Sequence, residues 1–207
     1  MKHEWRKKEK GIYISKDKPE MVTIPPLKYY TINGKGNPND DFFAEYVAVL
    51  YSLAYAVKMS PKVNLAPQGY FEYAVYPLEG VWDIANDSKQ ELTDNLDLNS
   101  LVFKIMIRQP DFVSDDYAAE TIERTKKKKP HELLDNVQFE TIEEGKCVQM
   151  LHLGSYVTES DSFHLMEEYC RENNLTRSSK QHREIYLSDA RKVSQEKLKT
   201  VLRFKVK

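Results

Sequence analysis

The apolar positions of the chain recur with two spacings, one typical of strands and one typical of helices. Residues 27–32 form a short strand-like run, and glycines mark a turn at 33–36. Apolar residues then recur every three or four positions from about 40 to 58, so we predict a helix that Ser60-Pro61 ends. Aromatic and β-branched residues at 70–76 and 101–107 predict two further strands.

A second set of elements follows in the same order. A charged helix is predicted at 114–129, where Pro130 stops it, and 94–99 has the composition of a turn. The pattern then predicts a strand at 147–153, a helix at 160–172 and strands at 184–187 and 198–206. Each half thus has the order strand, helix, strand, strand.

This repeated order predicts an α+β fold of two similar βαββ modules related by a pseudo-twofold axis. We expect antiparallel sheets with the helices on one face and a ligand cleft between the halves. The first half spans about 21–130 and the second about 145–207, with the loop between them as the boundary. Residues 1–20 are expected to be a polar extension, because they are lysine-rich and lack apolar periodicity.

Strand alternation predicts which side chains face the cleft. In the strand at 184, Ile185 and Leu187 would face the helices, which leaves His182, Glu184 and Tyr186 on the other side. In the strand at 70–76 the residues expected in the core are Phe71, Tyr73 and Val75, and those expected in the cleft are Tyr70, Glu72, Ala74 and Tyr76. A carboxylate beside tyrosines is therefore expected on the open face of each half.

Composition narrows the class of ligand. The formal net charge is -1, from 31 basic and 32 acidic side chains, so no overall field attracts nucleic acid or an anionic membrane. The basic run 126–129 ends a predicted helix that begins with acidic residues, which is the arrangement favoured by the helix dipole. The 13 Tyr, 8 Phe and 2 Trp residues instead favour an aromatic pocket for a small, flat, largely apolar molecule.

Glu184 is the first candidate for chemistry, because a carboxylate between apolar strand neighbours is unusual. It would bind a cation or act as a general base. The alternative is a solvated carboxylate paired with Arg183 or a nearby lysine. Glu72 has the same two interpretations with weaker support.

Other kinds of site have little support in the sequence. His182 and Glu184 would begin a metal site, but the remaining histidines show no ligand spacing, so we expect no metal. The glycines at 34 and 36 lack phosphate-loop spacing, and no nucleophile elbow is present, so we expect no cofactor. Two cysteines and an N-terminus without an apolar leader fit a reducing cytoplasm.

Several segments resemble the GyrI-like small-molecule-binding family. The most specific is the C-terminal run Glu184-Ile185-Tyr186-Leu187-Ser188-Asp189, followed by Arg191 and by 196–203. The segments at 26–28 with 34–36, at 76–80 and at 152–156 are similar to the family at corresponding places. The resemblance extends from about Lys18 to the end of the chain.

The resemblance implies a ligand cleft in which a glutamate at the position of Glu184 meets cationic aromatic ligands. It also implies pocket positions at Tyr156, Phe163 and Tyr186, and with a weaker match at Tyr55, Tyr76 and Trp82. Tyr55 and Trp82 also fit a role as core aromatics. Relatives fused to helix-turn-helix domains sense drugs, but the sequence here shows no DNA-binding part.

Stand-alone relatives that this architecture resembles hydrolyse cyclopropane-bearing, DNA-alkylating natural products. The leading hypothesis is therefore a hydrolase that protects against such a toxin. A non-catalytic drug-binding protein or sensor is the first alternative, and a protein that interacts with a topoisomerase is the second.

Overall fold

A computed structural model describes residues 2–84 and 98–207 of the chain. Within them the α-helices are α1 (Trp5–Lys8), α2 (Lys10–Tyr13), α3 (Asp41–Lys58), α4 (Asp115–Lys128) and α5 (Glu159–Glu172). The strands are β1 (Glu20–Ile24), β2 (Leu27–Lys35), β3 (Leu78–Ile84), β4 (Leu101–Gln109), β5 (Gln138–Ile142), β6 (Gly145–Leu153), β7 (His182–Tyr186) and β8 (Lys199–Lys205). The α+β class is confirmed. Most of the predicted turn at 94–99 lies outside the described residues.

The chain divides into two compact units. The first consists mainly of Leu27–Leu78 and Trp82–Ile142, as far as these are described, and the second of Glu4–Pro26, Glu79–Val81 and Glu143–Lys207. Each contains the predicted order strand, helix, strand, strand, as β2-α3-β3-β4 and as β6-α5-β7-β8. The pseudo-twofold relation and the cleft remain predictions.

In the first unit β2 pairs antiparallel with both β4 and β5. Helix α3 occupies the predicted range and buries its apolar side, including Leu50, Leu53 and Val57. Helix α4 begins at Ser114, whose hydroxyl accepts a hydrogen bond from the Tyr117 backbone N–H at 3.2 Å. Its last turn carries the basic run, as the helix dipole favours.

In the second unit the strand order is β1-β6-β8-β7, and the pairings are antiparallel. Helix α5 lies against β6. Its buried residues Met166 and Cys170 pack with Val148, Met150 and Leu202 of the sheet. This packing fixes the start of α5, where the candidate site lies.

Three sequence-based expectations about strands and termini were wrong. The segment 70–76 forms no strand, only an isolated bridge between His3 and Tyr73. Its aromatic residues pack around Phe112 instead of lining a ladder, so alternation does not apply. Tyr73 and Tyr76 are both buried, whereas Phe71 and Glu72 are exposed. The second strand of the first unit is instead β3. The loop that was expected to separate the two halves contains β5.

The folded body also begins earlier than Met21. Trp5 is 4% exposed and Tyr13 is fully buried, and their rings contact each other at 5.1 Å. Arg203 donates a hydrogen bond to the Ile12 carbonyl. Two buried aromatic residues outweigh the polar composition of the segment. Among the helices described, none is long and apolar enough to cross a membrane.

Candidate functional site

Strand β7 divides its side chains between two environments. Arg183 and Ile185 are buried on one face, while His182, Glu184 and Tyr186 lie together on the other. The predicted grouping of these side chains is therefore confirmed. The prediction that Ile185 would face the helices was wrong, because the cross-strand partner of Glu184 is Leu202, which packs against α5. Alternation then puts Ile185 on the face away from α5.

Glu184 is held from two sides. Its Oε1 lies 3.1 Å from Nε2 of His182, and its Oε2 accepts a hydrogen bond from the Tyr186 hydroxyl at 2.8 Å. The residue is only 8% exposed. A carboxylate fixed in this way loses little freedom when it binds a ligand or takes a proton from water.

The alternative partner Arg183 is not available to Glu184. Its Nη1 lies 2.6 Å from Glu79 Oε2, and its Nε lies 3.1 Å from Glu144 Oε1. Arg203 reaches the other oxygen of Glu144 at 2.8 Å. Burial disfavours a charged Glu144, but these two guanidinium groups hold the pKa of its carboxyl below the ordinary value. The interpretation of Glu184 as a partner of Arg183 was therefore wrong.

The connection from β6 to α5 supplies the second part of the site. Gly154 has φ of +125°, a conformation that favours glycine, and turns the chain after β6. His152 is buried, with Nδ1 at 2.8 Å from Ser162 Oγ and Nε2 at 3.0 Å from the Ser155 carbonyl. The ring thus ties both ends of the turn together, which places Tyr156 and Glu159 beside β7.

The His152 and Ser162 pair borders a shallow depression of about 250 Å³. The lining residues are Asp17, Met150, Leu151, His152, Leu153, Thr158, Asp161 and Ser162. Glu184 is not among them. Since both ring nitrogens of His152 have partners within the turn, we assign the pair a structural role.

Glu159 is the residue of the site that the sequence did not indicate. It is the first residue of α5 and is 7% exposed, and its Oε1 is buried without a hydrogen-bond partner among the described residues. Burial, and secondarily the nearby charge of Glu184, raises the pKa of its carboxyl to about 9. Only its place at a helix start marked it in the sequence, and acidic residues are common there.

Glu159, His182 and Glu184 each offer an atom within 4.8 Å of the others. Neighbouring ligands of a zinc ion are separated by roughly 3–3.5 Å, as bonds of about 2.1 Å require. The 4.8 Å limit is wider than this ligand spacing. Glu184 is also within hydrogen-bond distance of His182 and Tyr186, so we describe the group as a hydrogen-bonded cluster. The expectation that the protein needs no metal stays a prediction.

Aromatic rings border the cluster. Tyr156 and Tyr186 meet edge to face with centroids 6.2 Å apart, and Phe163 meets the His182 ring at 4.8 Å. Burial first, and then the charge of Glu184, raises the pKa of the Tyr156 hydroxyl to about 12. Tyr156 therefore stays protonated at neutral pH and remains a hydrogen-bond donor.

The sequence profile of the GyrI-like small molecule binding domain matches residues 17–207. The chain belongs to this family. Two solved structures of a hydrolase from Listeria innocua are 33% and 34% identical to it, with TM-scores of 0.89 and 0.90 and full coverage of both chains. The C-terminal domain of EcmrR shares the fold at 13% identity and a TM-score of 0.52, over 92% of this chain and 97% of its own. A search of curated proteins gave no significant match.

Membership confirms the resemblance seen in the sequence, and small-molecule binding follows from it. The GyrI-like domain brings four of the seven expected site residues into one cluster, namely Glu184, Tyr156, Phe163 and Tyr186. Tyr55, Tyr76 and Trp82 belong to the other unit.

Those three residues have different surroundings in the GyrI-like domain. Tyr55 is 49% exposed on α3, where its ring lies 6.3 Å from that of Tyr51. Tyr76 is buried under the Arg108 guanidinium at 4.5 Å. Trp82 is 5% exposed and packs against Phe43 and Phe103. A direct role of these three residues in binding stays a prediction.

Proposed function

We propose that this GyrI-like domain is a hydrolase that opens the strained ring of cyclopropane-bearing, DNA-alkylating natural products. The observation that carries the proposal is the carboxylate of Glu184, held by His182 and Tyr186 beside aromatic rings. The hydrolases from Listeria innocua, similar over their full length, support a hydrolytic reaction.

The reaction adds one molecule of water to the substrate. Glu184 takes a proton from the water, whose oxygen forms a bond to a cyclopropane carbon. The carbon–carbon bond of the strained ring breaks, and its electron pair moves through the conjugated ring to the carbonyl oxygen. That oxygen becomes phenolate-like and takes up one proton, while Glu184 releases the proton that it removed. The second hydrogen of the water stays on the new hydroxyl group, so atoms and charges balance.

Tyr156 is the donor that we assign to the developing phenolate. Its hydroxyl is protonated at neutral pH and its ring lies against Tyr186, which touches the base. A donor placed where negative charge develops lowers the barrier. Phe163 and Tyr186 offer apolar surface for a flat substrate.

The test is turnover of a spirocyclopropyl cyclohexadienone by substoichiometric protein, followed by loss of dienone absorbance and by mass of the water adduct. Glu184→Gln removes the base and retains the shape, so we expect kcat to fall by roughly 10² to 10⁴. Glu172→Gln, at an exposed carboxyl of α5, is the matched control and should leave kcat unchanged. Full turnover by folded Glu184→Gln protein would contradict the assignment of the base.

The second candidate function is binding of aromatic cations without turnover. The carboxylate of Glu184 beside aromatic rings favours it, because a negative charge and aromatic faces both attract a positive, flat molecule. N-methylacridinium and neutral acridine, compared at mildly alkaline pH, separate the two functions. A pure binder prefers the cation, loses that preference in Glu184→Gln, and consumes no dienone beyond its own concentration.

A further inference from the structure

The buried charges around Glu184 do not balance. Glu159 and Glu184 are both less than a tenth exposed. Among the ion pairs of residues 2–84 and 98–207, Glu184 has only His182 as a partner, and Glu159 has none. Two buried carboxylates would thus face one imidazole at most, and a buried charge without a partner is strongly disfavoured.

A proton on one carboxyl removes the imbalance, and the surroundings decide which one carries it. Both oxygens of Glu184 have a partner, since one accepts a hydrogen bond from Tyr186 and the other lies 3.1 Å from Nε2 of His182. Glu159 has a buried oxygen with no donor among the described residues. Its position at the start of α5 favours a negative charge only weakly by comparison.

We infer that Glu159 and Glu184 form one acid pair that holds a single proton at neutral pH, with Glu159 as a positioning residue that carries it. The inference rests on the proposed role of Glu184 as the base only for its effect on turnover. Other groups that face the pair are His182, Tyr156 and Tyr186, and Asp189 acts on Tyr156 from further away. The raised pKa of Glu159 agrees with the geometry.

The consequence for chemistry is control of the charge at the base. With Glu159 neutral, Glu184 is the one carboxylate of the pair, and its charge is available to the water. When Glu159 ionises at alkaline pH, a second negative charge arises close to Glu184 and changes the electrostatic potential at the reacting water. The turnover rate should therefore change with pH over the range in which Glu159 loses its proton.

The proton can be observed directly, without any substrate. In protein labelled with ¹³C at the glutamate carboxyl, spectra of wild type and Glu159→Gln identify the Glu159 signal by difference. We expect this signal to titrate well above neutral pH, and to move to lower pH in Glu184→Gln, where the like charge is gone. Titration of Glu159 together with the exposed glutamates would overturn the inference.

Turnover gives the second readout. Glutamine resembles a protonated glutamate in shape but cannot ionise, so Glu159→Gln should lose the alkaline change in rate that the wild type shows. Asp161→Asn, an exposed carboxyl in the same helical turn, should keep the wild-type pH profile. A loss in Glu159→Gln as large as in Glu184→Gln would overturn the positioning role, since Glu159 would then be a proton donor.

Two further results separate the possible failures. If zinc or manganese ions bind the wild-type protein and shift the Glu159 signal while chelator reverses the shift, the pair is a metal site and the inference is wrong. If the wild-type protein turns over no dienone, the proposed hydrolysis fails, but the carboxyl titration still decides whether the proton is shared.

Discussion

Two pairs of buried glutamates lie in the second unit, and they differ in what faces them. Glu79 and Glu144 contact two buried arginines, Arg183 and Arg203, at 2.6 to 3.1 Å. Glu159 and Glu184 have no such partner within the described part of the chain. In the cluster of Glu79 and Glu144, which we call the closed cluster, each carboxylate has an arginine partner. The pair of Glu159 and Glu184 has no arginine partner and can take up a proton or a cationic ligand. We expect the closed cluster to stabilise the fold and the pair to serve the function.

The largest effect should come from breaking the closed cluster. Arg183→Met leaves Glu79 and Glu144 short of a cation, so we expect a loss of about 3 to 5 kcal/mol in the free energy of unfolding, measured with urea. Its neighbour variant Glu184→Gln should change that free energy by less than about 1 kcal/mol.

The control is the double variant in which Glu79→Gln is added to Arg183→Met. Removing the stranded carboxylate should recover part of the lost stability. Equal losses in Arg183→Met and Glu184→Gln would show that the two clusters do not differ in the way described.

A smaller effect should appear in how stability depends on pH. The folded pKa of Glu159 is raised above its ordinary value of 4.5, to about 9. A raised carboxyl pKa stabilises the fold fully below the ordinary value, and this contribution is lost as pH rises toward the folded pKa. Relative to wild type, Glu159→Gln should therefore gain about 1 kcal/mol for each pH unit between about 5 and 8.

Urea denaturation of both proteins across this range measures the gain. Glu172→Gln, whose carboxyl is exposed, should follow wild type throughout. A constant difference between Glu159→Gln and wild type would mean that Glu159 ionises normally in the folded protein.

The smallest effect concerns the hydrogen bond from Tyr186 to Glu184. Tyr186→Phe removes the hydroxyl that holds one oxygen of Glu184 in place, so the carboxylate should be less well positioned. We expect kcat for the dienone to fall by roughly two- to tenfold. Tyr169→Phe, on α5 and outside the cluster, serves as the control, and an unchanged kcat in Tyr186→Phe would argue against the hydrogen bond in solution.

Alternation explains why Glu184 could be predicted and Glu159 could not. Alternation along a single strand determines which residues share a face, so local sequence was sufficient to group His182, Glu184 and Tyr186. It did not show which face meets α5, because that depends on the packing of α5 on the sheet. Glu159 meets them only because the turn after β6 and the packing of α5 bring it to β7. This proximity depends on tertiary structure, which the spacing of apolar residues along the chain does not predict.

The errors have similar causes. Residues 70–76 have strand-like composition, but their aromatic rings pack around Phe112, and tertiary packing overrode strand propensity. The polar N-terminal segment carries two anchors, Trp5 and Tyr13, too few for a periodic pattern. Likewise the pairing of Arg183 with Glu79 joins residues far apart in sequence. The three long helices α3, α4 and α5, with strong periodicity and clear stop signals, were predicted correctly.

The arginines of the closed cluster also determine how strand β7 is aligned. Arg183 and Arg203 are direct cross-strand partners on β7 and β8, a placement that like charges would oppose without Glu144 between them. A slip of β7 by one residue would turn Arg183 toward the tyrosines and Glu184 into the core, at a high cost in unpaired charge. The four residues of the cluster thus fix the register of β7, and the loss of one of its arginines should also displace Glu184.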